Sequence, residues 1–76
     1  MMKIRLSLYG LTVGNRLNDS AVVEVDEGAN IREMLSLFGF REEEIGLVVV
    51  NGKSGDCRQV LREGDRVTLI APLAGG

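Results

Sequence analysis

The chain has 76 residues, enough for one small domain, and at this size folding buries only about 60% of the surface that the unfolded chain exposes. Hydrophobic residues make up 45% and charged residues 26%, which is the composition of an ordinary globular domain. Nine basic against eleven acidic residues give a net charge of −2. That balance argues against general nucleic-acid binding, which requires a clustered basic surface.

Missing residue types narrow the chemistry further. There is no histidine, which removes the commonest general base and metal ligand, so we predict no metal site. The single cysteine, Cys57, cannot form an internal disulfide, which argues against a secreted scaffold. The longest apolar run, residues 47–50, is far too short to span a membrane, and no signal peptide is visible. We therefore expect a cytoplasmic protein with no membrane partner.

The first third of the chain predicts two strands. Residues 3–9 alternate strictly, which indicates a half-buried strand with Ile4, Leu6 and Leu8 on its inner face. Residues 11–20 contain several glycine, asparagine and aspartate residues and favour an irregular or hairpin connection. Residues 21–26 form the second predicted strand.

A helix follows the second strand. Asn30 is a good N-cap, and Glu33 three residues later completes a capping box. The apolar residues at helical spacing are Ile31, Met34, Leu35 and Phe38. Gly39 lies where a left-handed C-terminal cap is expected. The next segment, residues 41–44, is predicted to be a solvated, charged loop.

The last third predicts two more strands separated by turns. Residues 47–50 are rich in valine and favour an interior strand buried on both faces. Asn51-Gly52 indicates a tight turn, Val60 and Leu61 an apolar plug, and Gly64-Asp65 a second turn. Residues 66–71 alternate again and form the final strand.

These elements predict an α+β fold in which one helix packs across one face of a small mixed sheet. The connection between the first and last strands is long enough for a crossover, so the two can pair in parallel. We expect residues 1–71 to form this domain and residues 72–76 to form a flexible C-terminal tail.

The tail is the most informative segment. Pro72 fixes its own φ angle and lacks an amide hydrogen, so the final strand should stop there. Five extended residues reach at most about 16–18 Å. Gly75 and Gly76 have no side chains and could enter a channel too narrow for other residues. The ending is typical of a carboxylate delivered into another protein's active site, although chain ends are also commonly frayed.

The element order and three short motifs together resemble the ThiS/MoaD family of ubiquitin-like sulfur carrier proteins. The motifs are Val50-Asn51-Gly52, the stretch Leu61-Arg-Glu-Gly-Asp-Arg-Val67, and the ending Ala71-Pro-Leu-Ala-Gly-Gly76. The resemblance implies a β-grasp fold. The ending is most similar to the small subunit of molybdopterin synthase, in which two prolines commonly stand where this chain has Ala71-Pro72.

The resemblance implies a specific use of the terminal carboxylate. A ubiquitin-activating-type enzyme would use ATP to adenylate Gly76, and a sulfur donor such as a cysteine desulfurase would supply sulfur for a thiocarboxylate. A larger synthase subunit would then receive that sulfur for a cofactor precursor, most simply a pterin. The chain itself would bind no cofactor and contribute no catalytic residue, so it would be a carrier and not an enzyme.

The tail and the last strand supply the predicted contact residues. The residues expected to thread into a partner's site are Pro72, Leu73, Ala74 and Gly75. Ile70 and Thr68 should face away from the helix. An apolar Ile70 among polar neighbours is a candidate contact with a partner.

Two other functions share this fold and tail. A ubiquitin-like modifier would join Gly76 to lysines of other proteins, and a carrier for thiamin or another sulfur-containing product would deliver sulfur to a different acceptor. A stand-alone enzyme has little support, because residues 10–14 and 51–55 lack the spacing of a phosphate-binding loop.

Leu73 offers a test of the tail's role, because it should lie too far out to reach the domain's own core. We expect Leu73→Asp to weaken partner binding, measured by titration, and to leave the melting temperature nearly unchanged. A large drop in melting temperature would instead make Leu73 part of the core.

Overall fold

The structure is a computed structural model that describes residues 1–10, 12–13, 16–17 and 20–72. In chain order its elements are β1 (Met2–Tyr9), β2 (Thr12–Val13), β3 (Arg16–Leu17), β4 (Ser20–Val25), α1 (Ile31–Leu37), a 3-10 turn (Glu42–Glu44), β5 (Leu47–Val50), β6 (Lys53–Ser54) and β7 (Arg66–Ile70). No helix among the described residues is long and apolar enough to cross a membrane.

Five strands form one mixed sheet in the order β4-β1-β7-β5-β6. The last strand, β7, lies in the middle, parallel to β1 and antiparallel to β5. The parallel pairing of the first and last strands is therefore confirmed. In the segment that connects β1 to β4, β2 and β3 pair with each other as a separate two-stranded ribbon.

The core lies between one face of this sheet and α1. Its largest fully buried side chains are Ile4, Val25, Ile31, Met34, Leu35, Leu61, Val67 and Leu69. β1 alternates as predicted, with every second residue buried. The prediction that β5 is buried on both faces is wrong, because α1 covers only one face. Val48 and Val50 are buried, whereas Leu47 on the other face is 44% exposed.

Both predicted caps of α1 are confirmed. The Asn30 Oδ1 accepts a hydrogen bond from the Glu33 amide at 2.8 Å, and the Glu33 Oε1 accepts one from the Asn30 amide at 3.2 Å. Gly39 adopts a φ of 80°, as a left-handed cap requires. The amides of Ile31 and Arg32 donate to backbone carbonyls of the segment that precedes β7. The first turn of α1 is thus satisfied within the chain and leaves no amide cradle for an anion.

Two local predictions need correction. Part of the predicted charged loop forms the 3-10 turn, whose start is held by a 2.9 Å hydrogen bond from the Arg41 amide to the Glu44 side chain, although all of its residues are exposed as expected. Only half of the predicted apolar plug is buried: Leu61 is 2% exposed and Val60 is 56% exposed. The Leu61 amide donates to the Ala29 carbonyl, and in extended chain the preceding side chain then faces outward.

The predicted tight turn is also confirmed, since Asn51 and Gly52 have φ angles of 53° and 83° between paired Val50 and Lys53. The Asn51 side chain donates to the Asp65 carboxylate at 2.9 Å and accepts from the Arg66 amide at 2.9 Å. Two of the motifs that carry the family resemblance therefore hold each other, and together they fix the start of β7.

Candidate functional site at the root of the C-terminal tail

The backbone of the last strand is held on both sides up to the point where the tail begins. On one side the Ala71 amide donates to the Tyr9 carbonyl of β1 at 2.9 Å. On the other side the Gly46 amide, just before β5, donates to the Ile70 carbonyl at 2.7 Å. Pro72 follows and is exposed. Because proline has no amide hydrogen, the ladder stops there, as the sequence predicts.

Two glycines allow neighbouring segments to approach this point closely. A Cβ added to Gly46 would lie 2.5 Å from the Pro72 Cα and 2.8 Å from the Pro72 nitrogen. A Cβ added to Gly10, whose φ is 74°, would lie 3.0 Å from the Ala71 Cβ. We call Gly10, Gly46, Ala71 and Pro72 the tail root. It is a small, tightly packed cluster of backbone segments. It borders the sheet face that α1 does not cover, which we call the open face.

The open face beside the tail root carries an apolar row. Tyr9, Ile70 and Leu47 are lateral neighbours on β1, β7 and β5. Tyr9 is 54% and Leu47 44% exposed, and Ile70 between them is half-buried. Ile70 therefore faces away from the helix as predicted, but the expectation that it stands alone among polar residues is wrong. Thr68 lies one row further from the tail root and is half-buried.

Basic side chains lie at the end of the open face that is farther from the tail root. Arg5 on β1 and Arg66 on β7 are lateral neighbours, and Lys3 lies two residues before Arg5. Two like charges side by side on a sheet lower the stability of the fold slightly. The placement of Arg5 beside Arg66 is therefore not explained by a contribution to folding. Four residues of strand separate Arg5 from Tyr9, which is about 13 Å. Glu24 of β4 lies beside Lys3 on this face, so the end away from the tail carries three basic residues and one acidic residue, whereas the end beside the tail is apolar.

The predicted tail residues Leu73, Ala74, Gly75 and Gly76 lie outside the described residues, so their roles stay predictions. From Pro72, four extended residues reach about 13–14 Å.

Outside the tail root and the open face, we searched the described residues for metal ligands, reactive side chains and grooves. No group of three or more potential metal ligands occurs among the described residues. Cys57 is half-buried against the core. Burial and the neighbouring Glu42 carboxylate raise the pKa of the Cys57 thiol, which keeps it protonated and weakly nucleophilic at neutral pH. A shallow groove between β4 and α1 presents the carboxylates of Asp26 and Glu33.

Four residues of this site cannot be identified from the sequence: Gly10, Gly46, Tyr9 and Leu47. The pattern places Leu47 in a strand buried on both faces and Tyr9 at the end of the first strand, and it places Gly10 in a connection. Gly46 carries no signal of its own in the sequence. Its importance comes from the proximity of Pro72, which is 26 residues later in the chain and is brought there by the pairing of β5 with β7.

Comparisons with known proteins agree with this architecture. The model of the ThiS family matches residues 13–76. The solved structure of Haloferax volcanii small archaeal modifier protein 1 is similar with a TM-score of 0.73 at 18% identity, over 96% of this chain and all of that chain (100%). A putative molybdopterin converting factor, subunit 1, from Pyrococcus furiosus is similar with a TM-score of 0.69 at 18% identity, over 96% and 100% of the two chains. At these identities the likeness shows the fold, which is ubiquitin-like. No curated protein matches the sequence.

Proposed function

The chain belongs to the ThiS family, and from that membership we propose that it is a sulfur carrier whose Gly76 carboxylate is the group that carries the sulfur. The folded domain would bind partner proteins, and the tail would deliver the carboxylate into their active sites. The observation that best supports this division is the tail root, because the backbone is paired on both sides up to Ala71 and the next residue, Pro72, is exposed.

The proposed chemistry begins with activation, because a carboxylate is a poor acyl donor. An α-carboxyl group has an ordinary pKa of about 3.3–3.7, so it is ionised at neutral pH and its carbonyl is electron-rich. In the proposed first step a carboxylate oxygen of Gly76 attacks the α-phosphorus of ATP on a partner enzyme. The bond to pyrophosphate breaks, and an acyl-adenylate forms.

Sulfur transfer would follow on the same carbonyl carbon. A persulfide of the partner, whose outer sulfur comes from a donor such as a cysteine desulfurase, attacks that carbon. The bond between the carbon and the adenylate oxygen breaks, and AMP leaves. A second thiol of the partner then attacks the sulfur–sulfur bond of the acyl persulfide. The sulfur bound to Gly76 is thereby reduced and released as the thiocarboxylate, and the two partner thiols are oxidised to a disulfide.

The proposed partner surface is the apolar row with Thr68 behind it. Tyr9, Ile70 and Leu47 lie beside the tail root, so a protein that receives the tail would also cover this row. Lys3, Arg5 and Arg66 further along the face favour acidic groups on that partner. The proposed partners are an adenylating enzyme of the ubiquitin-activating type and a larger synthase subunit.

For the sulfur acceptor we propose a pterin precursor in molybdopterin synthesis. The support is the Pro72–Gly76 ending and the similarity to the Pyrococcus furiosus protein, whose name is putative molybdopterin converting factor, subunit 1. The thiamin pathway is the alternative acceptor within the same family. In either case the chain would be a non-catalytic substrate or subunit that works in the cytoplasm.

A ubiquitin-like modifier is the second candidate function. It is favoured by the similarity to the Haloferax volcanii small archaeal modifier protein 1. Both functions begin with adenylation of Gly76, and they differ in whether sulfur or a lysine amine displaces AMP. A ladder of conjugates on a blot would support the modifier, and a thiocarboxylate on the isolated protein would support the carrier.

The direct test is the intact mass of the protein after incubation with ATP, cysteine and lysate of its own source. We expect a gain equal to the exchange of one oxygen for one sulfur, because the thiocarboxylate replaces the carboxylate. Deletion of Gly76 should abolish the gain. Ser36→Ala, an exposed change on the opposite side of the domain, should leave it intact. An unchanged mass with a lysate that modifies a known carrier would contradict the proposal.

The apolar row yields a second prediction. Leu47→Asp should weaken binding to the adenylating enzyme about tenfold, equivalent to about 1.4 kcal/mol, because it places a charge in the covered surface. Leu37→Asp is the matched control, since Leu37 is also an exposed leucine but lies on α1, on the other side of the sheet. Equal loss of affinity in the two variants, measured by titration calorimetry, would place the interface elsewhere.

A further inference from the structure

We propose that Gly46 is a positioning residue for the tail: its missing side chain forms a notch in which Pro72 lies, and that notch sets the direction in which the tail leaves the domain. The inference rests on the proposed function, in which the direction of the tail decides whether Gly76 reaches the partner's reacting atoms. It adds a residue that has no contact with those atoms and acts only through Pro72.

The contacts at Gly46 are with backbone and not with flexible side chains. An added Cβ would lie 2.5 Å from the Pro72 Cα, 2.8 Å from its nitrogen and 3.0 Å from the Ala71 carbonyl carbon. Real Cβ atoms do not approach other heavy atoms so closely, so either the backbone at Gly46 or the backbone at Ala71 and Pro72 would have to move. Gly46 cannot easily move away, because its amide is held by the Ile70 carbonyl at 2.7 Å. The displacement would therefore fall on Pro72.

Pro72 is well suited to transmit that displacement. Ala71 is tied to Tyr9 by a 2.9 Å hydrogen bond, so the chain cannot adjust further back along β7. Pro72 has a fixed φ, so it converts the position of its own backbone into the direction of the residues that follow. Only four residues remain to Gly76, and over that length a small change at the root shifts the carboxylate by a comparable or larger distance.

The effect on the reaction should appear in turnover and not in binding. The apolar row that contacts the partner is unchanged by a methyl group at Gly46, so the affinity for the adenylating enzyme should be kept. A misplaced carboxylate, however, meets the α-phosphorus of ATP less often, and misplacement of about 1 Å can lower a rate by roughly a hundredfold. A loss confined to kcat is the signature of a positioning residue.

Gly55 provides a matched control within the same sheet. Its amide also donates to a strand carbonyl at 2.7 Å, that of Val48, and an added Cβ would also be crowded, at 2.9 Å from the Val50 Cγ2. The crowding at Gly55 involves side chains next to the β5–β6 hairpin and does not involve the tail root. Gly55→Ala therefore adds the same methyl group at another crowded glycine of the sheet, where side chains can give way, and it does not re-aim the tail.

The experiment measures ATP–pyrophosphate exchange by the adenylating enzyme of the source organism, with the concentration of the carrier varied. For Gly46→Ala we expect kcat to fall about tenfold or more while KM stays within about threefold, and for Gly55→Ala we expect both to be nearly unchanged. Melting temperatures of both variants show how much of any change follows from stability. Pro72→Gly frees the φ angle at the tail root and changes no buried residue, so it should also lower kcat and leave KM nearly unchanged. This variant replaces Gly46→Ala in the test if Gly46→Ala does not fold.

A second readout needs no partner. Residual dipolar couplings of the Leu73 and Ala74 amides report the direction of the tail, and we expect them to differ between the wild type and Gly46→Ala while nuclear Overhauser contacts between Tyr9 and Ala71 persist. Equal kinetics for the Gly46 and Gly55 variants, or a loss in KM alone, would overturn the inference. Absence of any exchange with the wild-type chain would overturn the proposed function instead, and unchanged dipolar couplings of the tail in Gly46→Ala would overturn the notch by itself.

Discussion

The pairing of β7 with both β1 and β5 is the interaction on which the rest of the molecule depends. It places the last strand of the chain in the middle of the sheet, parallel to the first strand and antiparallel to the hairpin strand. A central strand is held by two ladders of hydrogen bonds and is the least able to fray. The tail that leaves it therefore starts from one of the most firmly held points in the domain.

This topology separates the part of the protein that folds from the part that we propose reacts. The core between the sheet and α1 buries apolar side chains and no polar or charged residue among the described positions. The same sheet gathers, at the end where the tail leaves, residues distant in sequence: Tyr9 from β1, Leu47 from β5 and Ile70 from β7. A contact surface and the exit point of the tail thus lie together at one end of the sheet.

Much of the fold could be predicted from the sequence because its signals are local. The alternation of β1, the capping box at Asn30 and the Asn51-Gly52 turn each depend on a few adjacent residues. The exposed side of β5 could not be predicted, because a run of valines looks the same whether a helix covers one face or two. The role of Gly46 was equally invisible, since it depends on a contact with a residue that only the assembled sheet brings near.

The candidate site was therefore predicted unevenly. The Gly75-Gly76 ending and the position of Pro72 are readable directly, and together with the element order and the other two motifs they carry the family resemblance that implies a carrier. The apolar row needed the strand register, which decides that Ile70 lies between Tyr9 and Leu47 and not beside Arg5 and Ser7. The basic residues of the open face also needed the register, because only the pairing of β1 with β7 places Arg66 beside Arg5.

The central claim is that the carboxylate of Gly76 is the nucleophile toward ATP. The most direct measurement labels that carboxylate with heavy oxygen, incubates the protein with ATP, the adenylating enzyme and the sulfur donor, and determines the mass of the released AMP. The account predicts that AMP carries one labelled oxygen from the protein, because the carbon–oxygen bond breaks when sulfur displaces it. Unlabelled AMP, formed while ATP is consumed, would contradict the account.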